Sequence, residues 1–372
     1  MSLVVISRVN DYSYNNLRSA IEFSIEKLGG LSAFFSANDR VLLKPNLLAA
    51  KPPERNITTH PLVVEVVADI LMENGCRVFI GDSPGGAYRG VKRVFDETKM
   101  TELAERKGIT LVNFESSGAI TMKFNGYELK VSRAFFEFDK VINLPKLKTH
   151  VLTMMTGAVK NIFGIVPGFA KTMYHKLFPF PDEFARFLVN LYLAVRSKIV
   201  LNIVDAVWAM EGEGPSSGDS VKLGCIVCSP DAVSVDYVCA KIFGYKPNAV
   251  RTIAVANELE AGDTGNNIAV IGEYPKLDRN LKILSDWKYF LVPRFLARLI
   301  APFVWIRPCV LPENCSGCRV CELNCPVSAI SVKNGHPVFD YKVCITCLCC
   351  HELCPQRAIT LERSFLARAI GK

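Results

Sequence analysis

CSGCRVCELNCP at 315–326 and CITCLCCHELCP at 344–355 are two copies of one pattern, Cys-x2-Cys-x2-Cys-x3-Cys-Pro. Together they use eight of the chain's fourteen cysteines. Three thiolates this close on a tight turn cap three irons of one [4Fe-4S] cube, and the fourth corner has to be reached from elsewhere. With two copies present, each fourth cysteine serves the cube of the other copy. The spacing therefore assigns one cluster to Cys315, Cys318, Cys321 and Cys354, and a second to Cys344, Cys347, Cys350 and Cys325.

The repeat continues past the ligands, because CPVSAISV after the first motif realigns with CPQRAITL after the second. Such a duplication is expected of a small bacterial-type two-cluster ferredoxin domain, here placed at 309–372. Paired Cys-x2-Cys units also build zinc sites, but zinc needs only four ligands and leaves the doubled motif unexplained. A disulfide framework suits short secreted chains. The N-terminal MSLVVISRVNDYSYNN has neither the basic leader nor the cleavage site of a secretory signal and reads as a strand. Clusters and free thiols together point to the reducing cytoplasm.

At 372 residues the chain is long enough to bury a large core without metal staples, so the clusters are read as functional cargo. Half of the residues are hydrophobic and 22% are charged, a globular composition. The net charge of +8 comes from scattered Lys and Arg with no aromatic-interleaved basic block, which argues against nucleic acid as partner. A redox protein donor or acceptor, or an anionic small molecule, fits this charge. The most apolar stretch, YFLVPRFLARLIAPFVWI at 289–306, carries Arg294, Arg298, Pro293 and Pro302, so no transmembrane span is expected. It reads as a linker element within 281–308, packed between domains or resting on a membrane surface as a peripheral contact. The terminal RSFLARAIGK has the same two readings.

Over 1–280, strand-length apolar runs alternate with helix-period segments, the pattern of an α/β domain with a layered, mostly parallel sheet and helices on both faces. Strands are expected at 3–9, 40–44, 77–82, 109–114, 139–143, 199–205 and 222–228. One helix has clear punctuation, with Thr59 as N-cap, Pro61 in the first turn and Gly75 as stop. Further helices are expected near 88–107, 152–163 and 182–197, and after Ser229-Pro230. Asn125-Gly126 between two alternating segments predicts an antiparallel hairpin.

Ligands of open α/β sheets sit beyond the carboxyl ends of the strands. Those ends are rich in polar residues here: Lys44 and Asn46; Asp82 with Gly85 and Gly86; Lys146, Lys148 and His150; Lys160 and Asn161; Asp205 and Glu211. Asp82-Ser-Pro-Gly-Gly reads either as a strand-to-helix turn or as a nest of backbone N–H groups for an anion. It is neither a Walker A loop nor a G-x-G-x-x-G fingerprint, so nucleotide binding has no support. Lys146, Lys148 and Lys160 are either solvated or hold a carboxylate or phosphate. His150, at a strand end, is the candidate acid or base, beside a structural hydrogen-bonding alternative. Asp205 and Glu211 are candidates to bind a cation or orient a substrate, or else serve caps and turns. Cys225 and Cys228 lie in a strand-like run whose alternation puts them on opposite faces, so they read as buried thiols; Cys309 and Cys349 fall outside the ligand register.

The strings VLLKPNLL, THPLVVEVVADIL, GDSPGG, INLPKLKTH, GAVKNIFGIVPG and VDAVWAMEGEGP, ahead of a two-cubane module, resemble the uncharacterised iron-sulfur centre proteins that carry domain of unknown function 362. The resemblance spans almost all of 1–270 and implies an α/β domain of undetermined activity joined to a ferredoxin domain. Two functions remain open on the sequence. In one, an oxidoreductase component exchanges electrons between two [4Fe-4S] clusters and an anionic small-molecule site in the α/β domain. In the other, a non-catalytic carrier or adaptor binds a partner protein through that domain.

Overall fold

The computed structural model describes residues 1–85, 90–283 and 305–365. In chain order the first twelve strands are β1 (Ser2–Arg8), β2 (Arg40–Pro45), β3 (Arg77–Asp82), β4 (Thr110–Asn113), β5 (Ala119–Phe124), β6 (Tyr127–Ser132), β7 (Lys140–Leu144), β8 (Lys146–His150), β9 (Met154–Thr156), β10 (Ile199–Glu211), β11 (Asp219–Ser229) and β12 (Ile268–Ile271). Ten of them form one mixed sheet in the order β12-β1-β11-β10-β7-β2-β3-β4, with β8 and β9 branching from β10. The block β10-β7-β2-β3-β4 is wholly parallel, while β11 runs antiparallel to both β1 and β10.

Helices cover both faces, so the central strands are buried on each side. Along β2, Val41 and Leu43 enter the core under α1 (Tyr14–Lys27), α2 (Pro61–Glu73), α3 (Val91–Glu97) and α4 (Met100–Lys107). Leu42 points the other way, into the core under α5 (Ala158–Asn161), α7 (Pro181–Val195), α8 (Ala232–Phe243) and α9 (Arg251–Glu258). A further helix, α6 (Gly168–Leu177), follows α5. The fold is therefore α/β with a large, mostly parallel sheet. The β5–β6 hairpin turns through Asn125 (φ 47°) and Gly126 (φ 81°), the two left-handed positions that a two-residue hairpin loop requires.

Three local expectations give way to tertiary structure. The helix expected across 152–163 starts only at Ala158: β8 pairs with β10, and the chain reverses through Met154 (φ 66°) to lay β9 against β8, so that 154–156 are strand and the helical part is the short α5 with the 3-10 turn that follows it. The helix near 88–107 breaks at Lys99 (φ 63°) into α3 and α4. The N-cap of α2 is His60, whose Nδ1 accepts from the Leu62 N–H at 3.3 Å; Thr59 instead donates its hydroxyl to the Leu144 carbonyl across the sheet at 2.6 Å.

The C-terminal module is small and cysteine-rich. β13 (Ile306–Val310) pairs antiparallel with β16 (Ile359–Arg363), and β14 (Ile330–Lys333) pairs with β15 (His336–Phe339). The two short helices, α10 (Val320–Leu323) and α11 (Cys349–Leu353), start after equivalent left-handed residues, Arg319 and Leu348, each at φ 61°. Ser328 and Arg357, each at φ 53°, repeat the correspondence, so the duplication read in the sequence is also a duplication of backbone. Most of the 289–306 element and of the terminal RSFLARAIGK lies outside the described residues. Among the described residues no helix is long and apolar enough to cross a membrane.

Candidate functional site

The chain runs outward from β2 through β3 to β4, then returns to place β7 on the other side of β2. The crevice of an open α/β sheet forms at such a reversal, beyond the carboxyl ends. Lys44, at the end of β2, is fully buried and bonds Asp82 Oδ1 at 2.8 Å, while Asp82 Oδ2 accepts from the Leu47 N–H at 2.9 Å. Burial pushes the Lys44 ammonium down and Asp82 opposes that push. Gly164 lies directly on this pair: a Cβ there would collide with both Asp82 and Lys44.

Beside the pair runs a chain of amides across the strand ends. Asn46 donates to Asn161 at 2.9 Å, Asn161 to Asn143 at 2.8 Å, and Asn143 to Asn202 at 2.9 Å. Lys148 donates to Asn46 Oδ1 at 2.8 Å and to the Ile57 carbonyl at 2.7 Å, with no carboxylate partner among the described residues. Burial holds the Lys148 ammonium well below the usual lysine range, and Lys160 and Lys146 push in the same direction.

Several of the expected site residues serve the scaffold behind this crevice. Lys146 and Asp205 form a fully buried pair at 2.9 Å, and Tyr12 bonds to both, donating to Asp205 at 2.7 Å. Glu211 is clamped by Arg279 and by the Lys282 N–H, the latter at 2.8 Å. Each acid is thus neutralised by its own cation, and the two are not brought together. His150 is fully buried; its Nδ1 accepts from the Leu152 N–H at 3.1 Å, and its Nε2 lies 3.2 Å from Glu352 Oε1.

Asn46, Asp82, Gly85, Lys160 and Asn161 line one cavity of about 710 Å³ beyond the strand ends. Gly86 lies outside the described residues. The opposite wall is the cysteine module, contributing Cys325, Pro326, Cys349, Glu352 and Leu353. The module is fastened there by the Ser216 hydroxyl on the Glu352 carbonyl (2.7 Å), Arg357 on the Gly218 carbonyl (3.3 Å) and Lys51 on the Pro355 carbonyl. Sequence reading passed over Lys171 and His175, which stand four residues apart on α6 and both face the cavity. Lys171 donates to Ser83, which donates to Glu115; burial brings the Lys171 ammonium down to about 8. Burial likewise takes His175 down to about 3, leaving a neutral ring stacked on Phe184 at 4.4 Å. A helical i,i+4 spacing of Lys171 and His175 was the available signal, but nothing local distinguishes it from a solvated face.

The cysteines are arranged as two sets. Cys315, Cys318, Cys321 and Cys354 line one small cavity. Cys344 lies within electrostatic reach of Cys347 and Cys325, and Cys350 of Cys347, Cys344 and, from the first set, Cys321. Backbone N–H groups reach sulfur at equivalent places, Ala329 to Cys325 at 3.1 Å and Ala358 to Cys354 at 3.2 Å. Grouped thiols that receive N–H bonds are the donor set an iron–sulfur cluster takes, since such bonds stabilise sulfur-borne negative charge. Cys349 is buried at the cavity wall and Cys309 lies in β13, both outside these sets. Cys225 and Cys228 sit in the two opposite cores, each pushed by burial up to about 12.

The family described as Domain of unknown function (DUF362) matches residues 41–241, which span the strands β2 to β11 and most of α8. The chain is 34% identical over 286 residues to a thylakoid-associated protein of Synechocystis sp., covering 77% of this chain and 87% of that protein. Its C-terminal part is similar to shorter proteins. It is 40% identical over 42 residues to ferredoxin-2 of Chlorobaculum tepidum, covering 11% of this chain and 68% of the relative. It is also 41% identical over 58 residues to the pyruvate synthase subunit PorD of Methanocaldococcus jannaschii, covering 15% and 67%.

Proposed function

Because the chain belongs to the family of domain of unknown function 362 and ends in a ferredoxin-like module, we propose that it is an iron–sulfur oxidoreductase component with a small-molecule site between its two parts. The C-terminal region is a ferredoxin-type electron carrier. It holds two [4Fe-4S] clusters, one on Cys315, Cys318, Cys321 and Cys354, the other on Cys344, Cys347, Cys350 and Cys325. When bound, such clusters supply or accept electrons one at a time.

The carrying observation is that Cys325 shares a single cavity with Asp82, Lys160 and Asn161. The second ligand set is therefore the inner one, and the first faces a redox protein donor or acceptor. Lys160 lines the cavity with no carboxylate hydrogen-bonded to it among the described residues, which favours an anionic molecule there. The amide chain from Asn46 to Asn202 fixes the crevice floor, and His150 reaches the cavity only through Glu352. A reducing compartment such as the cytoplasm preserves these clusters and the free thiols. A concave crevice of about 710 Å³, rather than a flat face, favours this reading over an adaptor that binds a partner through its α/β domain.

The test is anaerobic potentiometry followed by electron paramagnetic resonance. Lys160→Met removes a positive charge from the cavity wall, so one cluster should become harder to reduce while the other keeps its potential. Equal shifts of both signals, or none, would sink the assignment of an inner cluster at the cavity.

A further inference from the structure

Four cations gather where the cysteine module meets the α/β domain, beside a ligand of the first cluster. Lys51, Arg93 of α3 and Cys354 border one small pocket at that seam. Arg55 ends the short helical turn Pro53–Arg55 just after Lys51, and Arg357 follows Cys354 by three residues. Their charges act on one another. Burial first, then Arg55, Arg357 and Arg93, push the Lys51 ammonium down, and burial with Arg55 pushes Arg357 down. Cys354 acts on Lys51 in the opposite sense, so the patch abuts a cysteine assigned to the first cluster.

Little negative charge answers them. Lys51 and Arg357 donate to neutral carbonyls, those of Pro355 and Gly218, and Arg357 Nε is buried with no partner among the described residues. The exposed Arg55 side chain has no hydrogen bond or ion pair among the described residues. Arg93 has a loose contact with Glu97, at 3.9 Å and one turn along α3. The other acids nearby are engaged elsewhere. Asp219 pairs with Lys282 at 2.7 Å, Glu54 acts on His60, and Glu352, which also borders the pocket, acts on Lys148 and Lys160. Grouped like charges with few counter-charges raise the local positive potential, and an acidic surface from another molecule relieves it.

We propose that this patch docks an acidic redox protein, which exchanges one electron with the first cluster beside Cys354. The reduced member of the pair loses one electron, the other gains it, and no atom moves. The inference rests on the reading of the first cluster as the outer one and names the surface and the charge of its partner. Cys354 and the exposed Gln356 line the small cavity of the first ligand set. A partner seated on the patch therefore comes close to that cluster, which a nucleic acid or a lipid surface has no need to do. Electron-transfer encounters bury little area, so complementary charge does much of the steering.

The experiment is anaerobic stopped-flow mixing of the holoprotein with an acidic [2Fe-2S] ferredoxin, run in both directions so that one of them is downhill. A small sulfonated viologen reports cluster reduction without protein docking. The ferredoxin rate should fall roughly tenfold or more between about 0.05 and about 0.5 M NaCl. Arg55→Glu combined with Arg93→Glu should lower it roughly tenfold at the lower salt, with the viologen rate little changed. The same reversal at the exposed Lys27 and Lys123 should leave the ferredoxin rate nearly as it was. A rate indifferent to salt, or lowered as much by the Lys27 and Lys123 reversal, would overturn the docking. So would a ferredoxin that exchanges no electrons while the viologen still reduces the clusters, a result that leaves the carrier reading intact. A viologen that reduces no cluster removes the carrier reading itself, and the docking with it. Retention on phosphatidylglycerol vesicles that the Arg55 and Arg93 reversal abolishes, together with a salt-insensitive ferredoxin rate, would assign the patch to a membrane and overturn the proposal.

Discussion

Glu352 Oε1, inside the second cysteine motif, lies 3.2 Å from Nε2 of His150 at the end of β8. Because His150 Nδ1 accepts two backbone N–H groups, from Leu152 and Thr153, the ring proton sits on Nε2, close to that carboxylate but without a hydrogen bond to it. Burial keeps His150 well below the usual histidine range, so the ring is neutral and the contact joins the two parts of the chain without a formal ion pair. Glu352 also opposes the burial of Lys148 and Lys160. Replacing Glu352 by Ala should therefore cost about 2 kcal/mol, as lysines lose their counter-charge and a void opens between the modules. Glu352→Gln should cost less. Denaturant unfolding of the anaerobic holoprotein measures both, and equal losses would show that charge plays no part.

Lys44 and Asp82 form the other decisive contact, 2.8 Å apart with side chains 0% and 4% exposed. Removing one partner strands a buried charge, so Asp82→Ala should destabilise by about 3–5 kcal/mol. Lys44→Met combined with Asp82→Leu, which removes both charges and keeps the volume, should recover much of that loss. A double-mutant cycle by chemical denaturation reads the coupling, and simple additivity would argue against a direct pair.

His175 sets an acid limit. Its folded pKa of about 3 lies below the ordinary 6.5, so between those values the unfolded chain binds a proton that the folded protein refuses. The sign is fixed by that order: stability falls as pH drops through 6.5. The group's contribution should amount to about 2 kcal/mol lost between pH 7 and pH 5. His175→Phe, which keeps the stack on Phe184, should remove that slope relative to the unsubstituted protein in paired denaturation curves.

The parts of this molecule legible in the sequence are those with local signatures. Cysteine spacing carries the ferredoxin-like module and the proposed cluster ligands because cube geometry imposes it, and the strand–helix alternation carries the layered sheet. Asn125-Gly126 carries its hairpin because few other residues tolerate two consecutive left-handed positions. What stayed hidden depends on long-range pairing. Residues 152–156 have helical composition, yet β8 is captured by β10 and reverses at Met154. The lysines after the strands look alike in sequence, but Lys44 and Lys146 are neutralised by Asp82 and Asp205 while Lys160 alone of the predicted lysines lines the cavity. Glu352 was masked by the cysteines around it, and its meaning appears only when the module docks on the strand ends.

The central claim is that two clusters occupy the C-terminal module and that one of them stands at the cavity wall through Cys325. Iron quantification on anaerobically reconstituted protein, with resonance spectra after reduction, tests it most directly. The account predicts about eight irons per chain and two spin-coupled cluster signals. About four irons with a single uncoupled signal, or zinc in place of iron, would contradict it.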